Sequence, residues 1–395
     1  MPIARPAGPA TDRLDVLDAL RGFALFGILL ANIAFFAGFG LMSGAQFVAA
    51  VGAETASWVN RFQHLLVDGK FYTLFSLLFG AGFALQLSRL SQAGHDGLRI
   101  YRRRVLVLLG IGLVHTFVIW DGDILVLYAL LGFVLPLFNR LRDGWLLAWA
   151  ALLVFVVPIA GAALFAAVGW APHETVFGWS FAVSDAFGID ASPEAIVDWV
   201  RREDWQARVA WMLSGTAYSW ALRIESWRIA KVLGIMVLGL WAGRRLAAGS
   251  LLPDRRLQWG VLVGGLAVGL PASFVFAWTP GLGQGSLASV LGTVPLALAY
   301  AAAFVLAWPR ACGWLGVFVA PGRMALTNYL VQSVACTLVF YGVGLGLAGE
   351  VTIFQMYAFA VALFAVQCMV SRWWLARHAQ GPMEALWRRW TYGRR

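Results

Sequence analysis

Again and again along this chain, about twenty apolar residues run together and then stop at a group of arginines. The runs cover approximately 19–40, 69–88, 104–120, 123–140, 144–168, 229–247, 257–278, 287–308, 323–347 and 353–374. About 20 mainly apolar residues are what a helix needs to cross about 30 Å of hydrocarbon. A spanning segment must also satisfy its own backbone hydrogen bonds, so each of the ten runs is predicted to be a helix. The pattern predicts an all-α polytopic membrane protein with about ten transmembrane helices, built as a single integral membrane domain over 1–395. Composition agrees: 13% of residues are charged and 61% hydrophobic, against about 25% charged in soluble domains.

The charge pattern gives an orientation. A net charge of +10 would suit nucleic acid, but here the basic residues gather in the short loops between apolar runs. That placement excludes a nucleic-acid partner and marks the cytoplasmic side of a membrane protein. Arg89, Arg99, Arg102, Arg103 and Arg104 follow the second run, and Arg140/Arg142, Arg244/Arg245, Arg255/Arg256 and a tail rich in arginine from Arg372 follow later ones. With ten spans all of these fall on one side, which places both termini in the cytoplasm. The first span follows a polar segment without a cleavage signal and is expected to remain as an anchor. The tail, 376–395, reads as a basic, aromatic, amphipathic segment on the cytoplasmic leaflet.

The stretch 169–228 differs in kind, carrying eight acids against five arginines. It reads as an outer, periplasmic amphipathic helical insertion, with a span through 209–222 as the alternative. Segment 44–66 reads as a further outer amphipathic helix. Cys312, Cys336 and Cys368 are far apart and unpaired in spacing, so neither a zinc site nor a disulfide framework is indicated, and no metal is expected.

Four polar groupings interrupt the apolar runs. Asp18 and Arg21 open the first span three residues apart, where they can pair on one helix face, and Asn32 lies about three turns deeper. A snorkelling anchor with a helix cap explains the first two equally well. Lys70 stands at the outer start of the second span near His64 and Asp68, with Gly80 and Gly82 offering a strip for close approach. The third grouping is "LGIGLVHTFVIWDGDILVLYAL", residues 109–130. There His115 lies about 16 Å along a helix begun at Arg104, Gly112 leaves room beside it, and Asp121 and Asp123 occupy the following turn. Ionisable groups within spans are rare and usually functional, although a neutral histidine bonding between helices is the plainer reading. Asp123 can cap the next helix and orient His115 at once. The fourth is a band of Thr327, Asn328, Tyr329, Gln332 and Ser333, with Asn328 and Gln332 on one face that must point into the bundle.

Together, "LDALRGFALFGILLANI" (17–33), "GKFYTLFSLLFGAGF" (69–83), "RRRVLVLLGIGLVHTFVIWDGDILVLYALLG" (102–132), "GRMALTNYLVQS" (322–333) and "GPMEALWRRWTYG" (381–393) resemble the YeiB family of bacterial inner-membrane proteins. The motifs occur in the family's order across nearly the whole chain. The resemblance implies a multi-pass protein of the bacterial inner membrane, and a homodimer. The first span is also distantly similar to the transmembrane acyltransferase superfamily, whose O-acyltransferases place a histidine eleven residues after an arginine. At that spacing from Arg21 this chain has Asn32. The lysosomal heparan-glucosaminide acetyltransferase has a histidine five residues before a glycine, and His64 and Gly69 reproduce that spacing.

What this resemblance implies is a transmembrane acyltransferase moving an acyl group from a cytoplasmic thioester donor such as acyl-CoA to a small-molecule or lipid acceptor outside. His115 is the expected general base, Asp123 its orienting carboxylate and His64 the alternative base. Arg21, Asn32, Lys70, Asp121, Asn328, Tyr329 and Gln332 are the expected binding residues. The rival expectation is a transporter, or a protein that binds membrane lipid, phospholipid or quinone without catalysis.

Overall fold

The computed structural model describes residues 15–94 and 96–393, and every regular element among them is helical. The N-terminal segment before Asp15, the end of the tail and the cytoplasmic placement expected for both termini lie outside the described residues or are not fixed by them.

Helix α1 (Asp15–Phe36) runs through the middle of the bundle, with Ala19, Ala24, Leu25, Leu29 and Ile33 fully buried or nearly so. Segment 44–66, expected as one helix, breaks at Gly52 into α2 (Gly44–Val51) and α3 (Ala53–Phe62). The break is a glycine effect: φ is +83° there, a region other residues avoid. After a π turn, Gln63–Val67, the chain enters α4 (Lys70–Gln92), then α5 (Gly97–Val114), a second π turn, His115–Ile119, and α6 (Leu125–Val134). Next come α7 (Asp143–Ala151) and α8 (Val157–Val168), joined by a third π turn, Leu152–Val156.

The acidic insertion resolves into α9 (Pro172–Ala186), α10 (Ile196–Arg201) and α11 (Trp205–Glu225). Asp204 caps α11 by accepting from the Ala207 N–H at 2.7 Å. Beyond it lie α12 (Arg228–Ala247), α13 (Arg255–Trp278) and α14 (Leu287–Leu315). A short α15 (Val319–Arg323), α16 (Ala325–Phe340), α17 (Ile353–Leu375) and α18 (Pro382–Tyr392) complete the chain.

Among the described residues, six helical runs are long and apolar enough to cross a membrane: Asp15–Phe36, Ala53–Gln92, Asp143–Val168, Arg255–Trp278, Leu287–Arg323 and Ile353–Leu375. Leu125–Phe138 and Ala325–Phe340 are apolar but shorter. The expected spans over 104–120 and 229–247 are helical in α5 and α12, yet their arginines and lysine keep them out of that set. Only 11% of the most apolar stretch of Asp143–Val168, and 22% of that in Arg255–Trp278, is covered by protein. Faces this apolar and this exposed call for a lipid solvent rather than water.

Small residues set the closest helix contacts. A Cβ on Gly322 of α15 would lie 1.8 Å from the Asp18 carbonyl oxygen of α1, and one on Gly22 would lie 2.1 Å from the Phe318 carbonyl. Between α4 and α12, a Cβ on Gly80 would meet the Met236 carbonyl at 2.0 Å and one on Gly239 the Leu77 carbonyl at 2.2 Å. This is packing by backbone approach, as membrane helices use in place of a hydrophobic drive. The expected flat strip on α4 is thus half used: Gly80 seats α12, while Gly82 faces open space.

The tail helix is docked. Glu384 of α18 accepts from the backbone N–H groups of Leu326 and Thr327 at 2.8 and 3.1 Å and from the Thr327 hydroxyl at 2.5 Å. A carboxylate here satisfies the free N–H groups that open α16. Trp387 donates to the Arg104 carbonyl at 2.8 Å and lies under its guanidinium.

Candidate functional site

The site grows out of the end of α5. The helix widens into the π turn at His115, closed by the Trp120 N–H donating to the His115 carbonyl at 2.8 Å. Such turns push one residue off the regular helical lattice and often mark functional positions. The chain then becomes extended at Trp120, turns through Asp121, Gly122 and Asp123, and opens α6. Gly112 permits α6 to return this closely, because a Cβ there would sit 2.8 Å from the Val126 nitrogen. The room beside the imidazole is therefore filled by backbone of α6.

Asp123 caps α6 and lies against His115. Its Oδ2 accepts from the Val126 N–H at 2.7 Å, capping α6, and its Oδ1 lies 2.9 Å from His115 Nδ1. The two side chains are 1% and 0% exposed, so the pair is sealed from bulk solvent in this state. A neutral imidazole beside a carboxylate carries its proton on the nitrogen facing it. In that tautomer Nε2 of His115 is a free acceptor; in this structure Nδ1, Nε2 and Asp123 Oδ1 all lack a hydrogen-bond partner among the described residues, the 2.9 Å contact lying outside hydrogen-bond geometry. The Tyr329 ring of α16 lies 5.1 Å from the imidazole and the Trp120 ring 6.5 Å away, edge-on.

Helix α11 supplies the other wall. Arg223 donates to the Asp123 carbonyl, Arg208 to the Ile119 carbonyl at 2.6 Å, and Trp211 Nε1 to Asp121 Oδ1 at 3.0 Å. Gly215 makes room for Asp121, whose Oδ2 would be 2.5 Å from a Cβ at that position. Burial pushes the Asp121 carboxyl above the usual carboxylate range, opposed by its own backbone hydrogen bond, the Trp211 bond and the charges of Arg208 and Arg223. A cleft of about 160 Å³, lined by Trp199, Trp205, Arg208, Trp211 and Tyr341 among others, opens beside this layer. Arg208, Trp211 and Arg223 were not singled out from the sequence. The available signal was the spacing of Arg208, Trp211 and Gly215, which is i, i+3, i+7 and puts them on one helix face.

His64 forms a second histidine–carboxylate pair. Its Nδ1 lies 2.7 Å from Asp68 Oδ2, with side-chain exposures of 32% and 16%. It too sits on a π turn, Gln63–Val67, and its carbonyl accepts from Lys70 Nζ at 2.5 Å. Gly69, at φ +77°, turns the chain between the two against Thr293.

The remaining expected residues divide. Tyr329 and Asp123 lie against His115, while Asp121, in the same turn, is held by Trp211 of α11. Asn328 of α16 donates to the Ser371 hydroxyl at 2.9 Å, and Gln332 donates to Gln367 at 2.9 Å. Gln367 in turn donates to the Asn328 carbonyl at 2.9 Å. In this state, the polar face of α16 is occupied in tying α16 to α17. Arg21 pairs with Asp18 at 2.7 Å and lies within electrostatic range of Arg104. Arg104 is about 16 Å before His115 along α5, so Arg21 does not join the His115 layer. Asn32 is half-buried on α1. Among the described residues, no three His, Cys, Asp or Glu side chains gather closely enough to hold a metal ion. Cys336 and Cys368 are buried and Cys312 is exposed, all as free thiols.

Full-length relatives identify the lineage. The chain is 30% identical over 389 residues to the "Uncharacterized protein YxaH" of Bacillus subtilis (strain 168), covering 96% of this chain and 94% of that one. It is 30% identical over 405 aligned positions to the "Uncharacterized protein YeiB" of Escherichia coli (strain K12), covering 96% of each. The chain belongs to the YeiB family. Residues 243–394 also match the family described as "Protein of unknown function (DUF418)". In this YeiB-family protein that match takes in Asn328, Tyr329, Gln332 and the docked tail, whereas His115, Asp123 and α11 precede it. The apolar helices and the YeiB relatives together make the chain a multi-pass membrane protein.

Proposed function

We propose that this YeiB-family protein is a transmembrane acyltransferase in which His115, held by Asp123, is the general base. The observation that supports the reading is the 2.9 Å His115–Asp123 contact combined with a bare, buried Nε2. In the proposed step Nε2 takes the proton from an acceptor hydroxyl or amine, and the freed electron pair attacks the carbonyl carbon of an acyl thioester such as acyl-CoA. The C–S bond then breaks, and the thiolate leaves with the proton returned by His115. Asp123 fixes the tautomer and steadies the imidazolium formed in between.

Within this proposal all ten predicted runs cross the bacterial inner membrane, with both termini inside. The cleft beside Trp211 and Arg208 then opens on the outer side, where an acceptor would approach. Acyl donor and acceptor must enter through an opened state, because His115 is fully enclosed.

That enclosure is also the observation favouring a second reading. A sealed histidine–carboxylate pair fits a protein that moves a proton, or grips a phospholipid or quinone, with no acyl chemistry. The test is release of free thiol and labelling of an acceptor by purified protein in proteoliposomes given radiolabelled acyl-CoA. Transfer that is lost in His115→Gln and kept in His64→Gln supports the acyltransferase reading with His115 as base. Transfer retained by His115→Gln removes His115 from the role. No transfer by the wild type with any acyl donor leaves the binding reading in its place.

A further inference from the structure

Four cations lie in the protein around the start of α12, none in direct contact with a carboxylate; Asp68 lies within electrostatic range of Lys70, and Asp121 and Asp123 within range of Arg223. Lys70 is 0%, Lys231 1% and Arg223 5% exposed, and Arg228 is half-buried with its Nε fully covered and unpartnered. None of the four enters an ion pair within 4.0 Å among the described residues. Their partners are neutral: Lys70 donates to the His64 carbonyl, Arg223 to the Asp123 carbonyl, and Arg228 and Lys231 both to Gln284, at 2.7 and 3.2 Å. Glu225, the nearest acid in the chain before Arg228, is exposed and turned toward the Gly283 loop.

The groups are neighbours. Arg228 lies within electrostatic range of both Arg223 and Lys231, and its guanidinium sits over the Tyr72 ring at 5.1 Å. The glycine contacts of α4 and α12 lock these helices in parallel, Leu77 beside Gly239 and Ala81 beside Gly243. That register brings Lys70 and Lys231 to the same level of the bundle. The N-terminus of α12 adds to the positive field, because no side chain caps it and its first N–H groups have no helical partner. Buried cations without a contacting carboxylate, Lys231 above all, are costly in a low-dielectric interior and are stabilised by a counter-ion.

We infer that the corner formed by Arg228, Lys231 and the start of α12, flanked by Arg223 and Lys70, binds a phosphate-class oxyanion. Arginine forks and free backbone N–H groups are matched to phosphate oxygens, and a multiply charged anion answers several cations at once. The phosphate is carried by a lipid headgroup or arrives as the free ion. The site stands whether or not His115 carries acyl transfer, since it needs only the anion.

The test uses full-length protein in detergent, exchanged into phosphate-free chloride buffer and titrated with inorganic phosphate and with dodecyl phosphate at constant ionic strength. A saturable rise in the thermal midpoint is expected, with affinity at least tenfold weaker in Lys231→Met and in Arg228→Gln. Arg256→Gln, an exposed arginine on α13, should bind as the wild type does. Dodecyl phosphate binding at least tenfold tighter than inorganic phosphate assigns a lipid headgroup, and equal affinities assign the free ion.

In chloride alone, Lys231→Met should unfold no lower than the wild type, because the buried charge it removes is met only by the neutral Gln284 carbonyl. Should that variant fail to fold, Arg228→Lys must keep binding within about threefold while Arg228→Gln loses it. No saturation with either probe, or unchanged affinity in the charge-removing variants, overturns the site.

Discussion

Replacing Asp123 by alanine and by asparagine separates its two duties. In Asp123→Ala the Val126 N–H loses its cap, which costs about 1 kcal/mol. The His115 Nδ1–H is left buried and unpaired, costing a further 1–3 kcal/mol or so. The sum is about 2–4 kcal/mol. For a chain of 395 residues, with entropy of unfolding scaling with length, that is a fall in Tm of about 2–5 °C.

Asparagine keeps an oxygen for the cap, so Asp123→Asn should fall by about 1 kcal/mol or less. Its amide, however, now presents N–H to Nδ1. The imidazole must answer with the opposite tautomer, moving its proton to Nε2 and abolishing the base. Thermal unfolding in detergent, followed by a thiol-reactive dye or by light scattering, reads the stability. Acyl transfer in proteoliposomes reads the function. A fully stable Asp123→Ala, or an active Asp123→Asn, would refute the reasoning.

Four further outcomes are expected. Gly322→Ala forces a Cβ to within 1.8 Å of the Asp18 carbonyl, so α1 and α15 must separate; a loss of about 1–3 kcal/mol should appear as lower yield of monodisperse protein on size exclusion. Glu384→Ala uncaps α16 and frees α18, and limited trypsin digestion should then cut at Arg388 or Arg389 at least several times faster than in the wild type. The Asp204 carboxylate is held below the usual carboxylate range chiefly by the Ala207 N–H, so the α11 cap is complete above that range. It is lost as pH falls through the lowered value, and hydrogen exchange at the start of α11 should quicken only in acid. A reporter active only in the cytoplasm, fused after residue 395, should be active if ten runs cross with the termini inside.

The helical membrane class was legible because apolar length is a local property, and six runs meet it without reference to neighbours. The spans at α5 and α12 were harder to certify, since Arg102–Arg104 and Lys231 dilute their hydropathy even though both are continuous helices. His115, Asp123 and Tyr329 could be singled out as polar groups in apolar surroundings. What Gly112 faces could not, because a missing side chain is silent about which backbone fills the space.

Asn328 and Gln332 were read correctly as facing the bundle, but their partners Ser371 and Gln367 lie 43 and 35 residues away. Such a pairing depends on how α16 and α17 meet. The largest omission was α11. Its arginines resembled a solvated face, and only the fold carries Arg208, Trp211 and Arg223 onto the turn after His115.

The most direct test of the His115–Asp123 pair is the protonation of its ring. Nitrogen NMR of protein labelled at histidine, with His115→Gln to assign the signal, distinguishes a ring nitrogen that carries hydrogen from one that does not. Hydrogen on Nδ1 of His115 and none on Nε2 is the expected state, reversed in Asp123→Asn. A wild-type His115 with hydrogen on Nε2, or one insensitive to Asp123→Asn, would contradict it.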